Sequence, residues 1–390
     1  MIYYIRIAHY ISSHYTQPLL PIIPFYSKCL LFMLKFIAVL TFGIIAFSDF
    51  ISKVDEDTHL SYTYFPAQSE NTLLILGSEE YSATSMIFSG IGPYKFAHGI
   101  QPNDYTWGDF ANLLFIDTKC GYSAKNTIES IHEFLLKNPS IAKGKLFIVA
   151  FGTGAEYALE LGELIMETPS KNYEFKGLIF GGPSLQSVID IKSRPVFAFA
   201  NDIIEQENRN YITMLYKLCL IGMQKGGNKF INKICSFADS EALGKAAYEN
   251  YINQIIFDFE NKIPFVEKSY QQITNRGDYE SCDISSQYSQ SNAAKLVWMV
   301  ERGKSVLLFY GSNDLFTSWY GGYELLAKIW ASSDSLEEHK LMKVHGKPIC
   351  AMRVKDGFTF AKFSESGHYV QIDKPEQVRI LVKDWVKKQK

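Results

Sequence analysis

Two loop residues in the last quarter of the chain have the types and the order needed for acid–base chemistry. Asp314 ends the segment Tyr310-Gly-Ser-Asn-Asp, and His368 ends the segment Ser366-Gly-His; each segment follows an apolar run. A histidine can take the proton from a nucleophile, and an aspartate can orient the imidazole and stabilise its charged form. The pair alone is weak evidence, because a histidine in a loop is more often simply solvated.

Short apolar runs bounded by turn residues predict the strands that position these loops. The predicted strands are Thr72–Leu76, Leu113–Ile116, Leu146–Ala150, Lys176–Phe180, Ser305–Tyr310, Gly346–Val354 and Phe358–Phe363, with Val196–Ala200 as a further candidate after Pro195. Amphipathic helices are predicted at Ala155–Met166 and Pro375–Lys387. This alternation predicts an α/β fold with a mainly parallel central sheet and flanking helices.

The middle of the chain has a different character and predicts an insertion. Longer helical patterns and polar loops fill about 202–290. We therefore expect a first part of the α/β core at 49–200, a helical cap insertion at 201–290 and a second part of the core at 291–390.

Three segments resemble the serine carboxypeptidase family. Val306-Leu-Leu-Phe-Tyr-Gly-Ser-Asn-Asp314 is similar to the family's strand that leads to the triad aspartate. Gly367-His-Tyr-Val-Gln-Ile-Asp-Lys-Pro375 is similar to its Gly-His-x-Val-Pro-x-Asp-x-Pro box, with Gln371 for the first proline. Asn112-Leu-Leu-Phe-Ile-Asp117 is similar to its Asn-Leu-Leu-x-x-Asp run. The resemblance spans roughly 60–386, and it implies an α/β-hydrolase fold that releases C-terminal residues from peptides by hydrolysis.

The family's nucleophile is missing at the position where the resemblance places it. The family reads Gly-Glu-Ser-Tyr-Ala-Gly after a buried strand, whereas this chain continues from Ala150 into Phe151-Gly152-Thr153-Gly154. Gly152 stands at the serine position. Phe151 replaces the acidic residue that, in the family, helps to bind the substrate's terminal carboxylate.

The loop that the resemblance assigns to the oxyanion is altered as well. The family's Asn-Gly-Gly-Pro-Gly-x-Ser-Ser loop falls on Leu76–Ala83, where Gly77 and one serine are retained. Ser78 and two glutamates follow Gly77. Carboxylates in this loop would oppose the negative charge that develops during acyl transfer. The sequence therefore predicts a strongly impaired or inactive hydrolase.

Three other hydroxyls are candidates to substitute for the missing serine, and none of them is expected to do so. Thr153 is adjacent to Gly152, but a shift of one residue on a tight turn points the side chain away from His368. Ser82 and Ser184 lie in predicted rim loops. A competing interpretation is a dinucleotide turn at Gly152–Tyr157, disfavoured because no second strand with an acidic end follows about 20 residues later. No cofactor is expected.

The N-terminal region differs in charge from the rest of the chain. The whole chain carries 39 basic and 41 acidic side chains, yet residues 1–48 contain no Asp or Glu. Lys35 precedes the apolar run Phe36–Phe47, which predicts a signal peptide at 33–48 behind an upstream extension at 1–32. The alternative is a membrane anchor. Translation can start at Met1 or at Met33.

Entry into the secretory pathway, with a secreted or lysosomal/vacuolar destination, makes disulfides possible. The odd set Cys120, Cys219, Cys235, Cys282 and Cys350 lies beyond the signal, so at least one thiol is unpaired, and no spacing suggests a metal site. The near-neutral charge argues against nucleic-acid binding. Three hypotheses remain: an inactive protein that binds peptide or protein C-termini in its cleft, a hydrolase or acyltransferase with an unusual nucleophile, and a structural subunit.

Overall fold

The computed structural model describes residues 51–55, 60–77, 82–96, 100–117, 124–185, 187–202, 204–225, 230–231, 233–238, 241, 292–315, 317–331 and 338–389. Phe50–Lys390 form one compact unit. The predicted signal peptide at 33–48 and most of the predicted cap after residue 238 lie outside the described residues.

A ten-stranded sheet is the centre of this unit, with the strand order β1-β2-β6-β3-β7-β8-β9-β12-β11-β10. Its strands are β1 Ile51–Val54, β2 Ser61–Phe65, β3 Asn71–Leu76, β6 Asn112–Asp117, β7 Gly144–Phe151, β8 Tyr173–Gly181, β9 Ser305–Gly311, β10 Glu338–Val344, β11 Lys347–Lys355 and β12 Phe358–Phe363. A separate ribbon pairs β4 Tyr94–Phe96 with β5 Ile100–Pro102. The α/β fold with a mostly parallel sheet, predicted from the sequence, is confirmed.

The six neighbours β6, β3, β7, β8, β9 and β12 run parallel, and antiparallel strands close both edges. Central strands such as β7 are apolar on both faces because helices cover both sides of the sheet. All six parallel strands end at the same edge. Ligands of open α/β sheets bind outside these carboxyl ends.

Helices cover the two faces of the sheet with two apolar clusters. The helices are α1 Ala124–Lys137, α2 Gly154–Glu167, α3 Ser187–Ala200, α4 Gln206–Gln224, α5 Ala293–Glu301, α6 Trp319–Trp330, α7 Val370–Asp373 and α8 Pro375–Lys388. Helices α1, α2, α5 and α6 pack on one face, whereas α8 and the segment around Trp107 pack on the other. The predicted helices at Ala155–Met166 and Pro375–Lys387 are confirmed.

The candidate strand Val196–Ala200 is wrong, because these residues end helix α3. Pro195 lies inside that helix, and Phe197 and Ala198 are buried in a third apolar cluster with α4. A run of five apolar residues does not distinguish a strand from a buried helical turn, and proline is more often found at an element's boundary. Packing against α4 stabilises the helical conformation of these residues.

Candidate active site

The loops that follow four of the central parallel strands contain the predicted site residues. Gly77 follows β3, Gly152 follows β7, Asp314 follows β9 by three residues, and His368 follows β12 by five. The turn after β8, Gly182–Ser184, lies between them in the strand order. The fold therefore gathers residues from distant parts of the chain at one edge.

Asp314 and His368 form a buried hydrogen-bonded pair. His368 Nδ1 lies 2.8 Å from Asp314 Oδ2, and the two residues are 7% and 2% exposed. An ionised carboxylate can only accept hydrogen bonds, so we assign the proton to Nδ1, which leaves Nε2 as the basic nitrogen. This is the arrangement in which a histidine serves as a general base.

Thr317 completes this cluster, and the sequence analysis missed it. Its hydroxyl donates to Asp314 Oδ2 at 2.7 Å and lies 3.0 Å from His368 Nδ1, while its amide donates to Asp314 Oδ1 at 3.1 Å. This hydroxyl faces the nitrogen that carries the proton, so it orients the pair and is not placed as a nucleophile. The spacing Asp-x-x-Thr, typical of a carboxylate that caps its own turn, was an available signal.

Backbone hydrogen bonds fasten the two loops that carry Asp314 and His368. The Ser312 amide donates to the Phe363 carbonyl at 2.7 Å, and the Asn313 amide donates to the Ser366 carbonyl at 2.9 Å. The Gly367 amide donates to Asp373 Oδ2 at 2.7 Å. The parallel pairing of β9 with β12 thus continues beyond the strands and fixes the approach of the histidine to the aspartate.

Gly152 occupies the sharp turn between β7 and α2. Its φ of +50° lies in the left-handed region, and α2 begins two residues later at Gly154. The Gly152 amide donates to the Gly181 carbonyl at 3.3 Å, and its carbonyl accepts from the Ser184 amide at 2.9 Å. Glycine adopts this conformation without the steric cost that any side chain would add. The backbone turn is present, and the side chain is not.

The turn after β8 connects Gly152 to the Asp314–His368 pair. Gly182 has a φ of +49°, and a Cβ built on it would lie 3.3 Å from Asp314 Oδ2 and 3.4 Å from His368 Nδ1. Ser184, two residues further on, bonds to Gly152. Glycine at 182 lets the backbone pass close to the pair and brings the β7 turn to the same site.

A second buried carboxylate lies beside this turn. Ser184 Oγ donates to Asp190 Oδ2 at 2.9 Å, and Asp190 in α3 is 5% exposed. Burial raises the pKa of Asp190 to about 7, and the nearby charge of Asp314 adds to the rise. Ser184 is among the rim hydroxyls predicted from the sequence, whereas Asp190 is not among the predicted site residues. Its position between Ile189 and Ile191 was the available signal.

A match of the chain to the serine carboxypeptidase family covers residues 47–296 and 264–388. The chain belongs to the serine carboxypeptidase family. It is 20% identical to serine carboxypeptidase-like 49 of Arabidopsis thaliana, over 86% of this chain and 75% of that protein. It is also 20% identical to carboxypeptidase Y of Candida albicans, over 87% and 73% of the two chains.

The structure of a yeast carboxypeptidase shares the fold. Kex1, a prohormone-processing carboxypeptidase from Saccharomyces cerevisiae, superposes with a TM-score of 0.70 over 85% of this chain and 88% of its own, at 15% identity. At this identity the likeness concerns the fold, and it agrees with the α/β-hydrolase architecture implied by the resemblance. The predicted family and fold class are both confirmed.

The resemblance to serine carboxypeptidases relates Gly77, Ser78 and Phe151 to substrate binding. The structure describes two of these residues, and each has a structural role. Gly77 is buried and its amide donates to the Ile116 carbonyl at 3.2 Å. Ser78 lies outside the described residues. Phe151 is 2% exposed and packs edge-on against Phe309, with ring centroids 6.1 Å apart. Gly77 thus uses its amide to extend the sheet, and Phe151 contributes to the apolar core.

The hydroxyl groups that could substitute for the missing serine differ in their hydrogen-bond partners. Thr153 Oγ1 is buried and has no hydrogen-bond partner among the described residues. Thr153 is the N-cap residue of α2, yet its side chain makes no capping bond. The Ser82 hydroxyl accepts from the Ser85 amide at 3.4 Å, in the turn that precedes a short 3₁₀ helix, Ser85–Ile87. The Ser82 hydroxyl therefore has a role in the local turn.

The cysteines and the remaining site classes can be placed where the structure describes them. Cys219 in α4 forms a disulfide with Cys235, and Cys350 is a buried free thiol whose pKa burial raises to about 12. Cys120 and Cys282 lie outside the described residues. In the described part of the chain there is no cluster of three metal-ligating side chains, and no helix is long and apolar enough to cross a bilayer.

Proposed function

We propose that this member of the serine carboxypeptidase family is a secretory-pathway protein that has lost acyl transfer and binds peptide or protein C-termini in its cleft. The observation that carries the proposal is Gly152, which occupies the left-handed turn after β7 beside the turn that contacts Asp314 and His368. In this geometry a general base is in place, and the residue on the nucleophile turn carries no hydroxyl.

The chemical consequence follows from the steps of the family reaction. The serine oxygen attacks the carbonyl carbon of the scissile bond, and the histidine takes the serine proton and later delivers it to the leaving amine. Without Oγ at 152, no acyl-enzyme bond can form there. Removal of a catalytic serine costs about six orders of magnitude in kcat in a well-studied serine protease. A water molecule oriented by His368 would support at most the small remainder.

The oxyanion side supports the same proposal. In α/β-hydrolases one donor is the amide after the nucleophile, and the other comes from the loop after β3. Here the Gly77 amide is bonded to Ile116, and two glutamates follow in the sequence at 79 and 80. Both the nucleophile and the charge-stabilising loop depart from the family pattern, whereas Asp314 and His368 keep it.

Secretory localisation rests on the predicted signal peptide at 33–48 and on the Cys219–Cys235 disulfide, because disulfides persist in oxidising compartments. Sequencing the N terminus of the mature protein tests this part of the proposal. We expect a start near Asp49. A mature chain that keeps Phe36–Phe47 in a membrane fraction would replace the signal with an anchor.

A fluorophosphonate probe tests the loss of acyl transfer. We expect no labelling of the purified protein above that of His368→Ala, and no release of C-terminal residues from blocked dipeptides. Binding is measured separately, by titration with peptides that carry a free or an amidated C terminus. Probe labelling that His368→Ala abolishes would overturn the proposed inactivity.

A second candidate is a hydrolase with an unusual nucleophile. It is favoured by the hydrogen bonds that join Asp314, Thr317 and His368, and by the Thr153 hydroxyl, which has no hydrogen-bond partner among the described residues. If the protein has activity, Thr153→Ala separates the possibilities. Activity that disappears in Thr153→Ala but persists in Ser184→Ala assigns the reaction to Thr153, and activity that survives both variants excludes these two hydroxyls.

A further inference from the structure

Helix α4 carries apolar side chains on two opposite faces. The inner face packs into the third apolar cluster through Ile212, Leu215, Tyr216, Cys219 and Leu220. The outer face exposes Tyr211, Met214, Leu218 and Ile221, with exposed fractions of 43%, 50%, 47% and 51%. An apolar face of a helix is normally covered by another element. In the part of the chain that the structure describes, the outer face of α4 is therefore left partly uncovered.

The four exposed residues are spaced by three, four and three positions, so they form one continuous stripe, which we call the α4 seam. This is the spacing of the packed positions in a coiled coil. Exposed charged residues continue the same stripe at its two ends, Glu207 at the start and Lys225 just after the helix. The seam is thus apolar in the middle and carries opposite charges at its ends.

The α4 seam is supported from behind. The disulfide from Cys219 to Cys235 joins the inner side of α4 to the helical residues 233–238, with the two Cα atoms 5.0 Å apart. Gly222 lets this neighbour approach, since a Cβ built there would lie 2.3 Å from Ile231 Cδ1. A helix held in this way presents its outer side chains without a large loss of order on binding.

The positions of the seam residues are symmetric about the middle of α4, so two copies of the seam can pair when they run antiparallel. Tyr216 lies midway between Met214 and Leu218, midway between Tyr211 and Ile221, and midway between Glu207 and Lys225. We propose that the α4 seam pairs with the α4 seam of a second copy of this chain, antiparallel about a two-fold axis near Tyr216. Met214 then packs against Leu218 of the other copy.

The end charges select this partner. In the antiparallel pairing each Glu207 lies beside a Lys225, so two ion pairs form, whereas a parallel pairing sets like charges against each other. A two-fold interface of this kind is isologous and closes at the dimer. One charge opposes this pairing. Lys217 flanks the α4 seam near the two-fold axis, so it approaches Lys217 of the other copy. The interface is small, and we expect an affinity at the roughly micromolar end of the protein–protein range.

The test is the oligomeric state of the purified full-length protein, measured by sedimentation velocity over a dilution series. We expect a monomer–dimer equilibrium that Leu218→Glu weakens by roughly a hundredfold or more, because it places charges at the centre of an apolar contact. Leu341→Glu is the matched control, since Leu341 is 63% exposed on β10. It should leave the dissociation constant unchanged, and both variants should keep the thermal midpoint of the parent at dilutions where the parent is monomeric.

Charge reversal tests the direction and the register. Glu207→Lys or Lys225→Glu alone should weaken the dimer roughly tenfold, because each reversal removes two ion pairs, and the double variant should restore it. A protein that is monomeric at every concentration, a dimer that Leu218→Glu leaves intact, or a double reversal without rescue overturns the proposal. Co-sedimentation of a monomer with anionic phospholipid vesicles, lost in Leu218→Glu, assigns the seam to a membrane surface instead.

Discussion

The two sides of the candidate active site are built to different degrees. On the side of β9 and β12, Asp314, Thr317 and His368 share a closed set of hydrogen bonds between 2.7 and 3.0 Å. On the side of β3 and β7, Gly152 offers no side chain and the Gly77 amide is used inside the sheet. The side of β9 and β12 thus has a hydrogen-bonded histidine–aspartate pair, and the side of β3 and β7 has the backbone turn without a side chain.

The difference shows that the two sides carry different structural costs. Asp314 and His368 are buried, so removing either one leaves polar groups without partners inside the protein. At position 152 the opposite holds, because a left-handed φ of +50° strains a serine and suits glycine. The proposed loss of acyl transfer thus concerns the position where a side chain is strained, and it leaves in place the pair whose removal would lower stability.

Restoring the nucleophile is the strongest way to break this comparison. In Gly152→Ser we expect labelling by a fluorophosphonate to rise by several orders of magnitude, because Oγ would lie on the turn beside the His368 base. Activity on activated esters should appear, while amide hydrolysis stays low without a complete oxyanion loop. His368→Ala in the Gly152→Ser background is the control. A folded Gly152→Ser protein that stays unlabelled would show that the turn and the base are not aligned.

Truncating the buried carboxylate tests the structural role of the retained side. We expect Asp314→Ala to lower the free energy of unfolding by about 3 kcal/mol, since Thr317 and His368 lose their acceptor. Urea denaturation measures the change. The control is Asp104→Ala, whose carboxylate is exposed and whose removal should have little effect on the free energy of unfolding. Equal effects of the two variants would contradict a structural reason for retaining Asp314.

The second carboxylate gives the site a pH dependence. Burial raises the pKa of Asp190 from 3.8 to about 7, so between these values the folded protein keeps a proton that the unfolded chain has lost. The free energy of unfolding should therefore fall as the pH rises from about 4 to about 7, by at most about 1.4 kcal/mol per pH unit from this group. Asp190→Asn should remove that slope while keeping an acceptor for Ser184.

The measurement is urea denaturation of both proteins at pH 5 and pH 8. Asp190→Asn should gain stability over the parent at pH 8 relative to pH 5. Asp104→Asn is the matched control, because the Lys95 side chain lowers the pKa of Asp104 and keeps its titration below this window. A parent and an Asp190→Asn protein with the same change between the two pH values would place the titration elsewhere.

Two threonines with buried hydroxyl groups give the finest comparison between the sides. The Thr317 hydroxyl is hydrogen-bonded to Asp314, whereas the Thr153 hydroxyl has no partner among the described residues. We expect Thr317→Val to cost about 1 to 2 kcal/mol and Thr153→Val to be neutral or slightly stabilising, because valine has nearly the same shape without the polar group. Thermal unfolding of the two variants measures both. A larger cost for Thr153→Val would show that its hydroxyl makes a bond essential to the turn.

The sequence alone predicted the strands that carry the site. Phe358–Phe363 was predicted with the bounds that the structure has, and Thr72–Leu76 and Ser305–Tyr310 fall within one residue of theirs. Buried parallel strands read as continuous apolar runs ended by turn residues, so local composition is enough to find them. Because the prediction used only local patterns, it placed a strand wrongly at Val196–Ala200 and did not include helix α6, Trp319–Trp330.

The sequence also determined what is missing, because a residue type at a given position is a local fact: Gly152 has no hydroxyl in any fold. Only the tertiary structure decided what surrounds it. The contacts of Asp314 with His368, of Gly182 with that pair and of Ser184 with Gly152 join loops that follow different strands and lie far apart in the sequence. They depend on strand order and register, which arise from packing of the whole sheet. The burial of Asp190 and the exposure of the outer face of α4 likewise depend on tertiary packing, and local sequence patterns do not predict them.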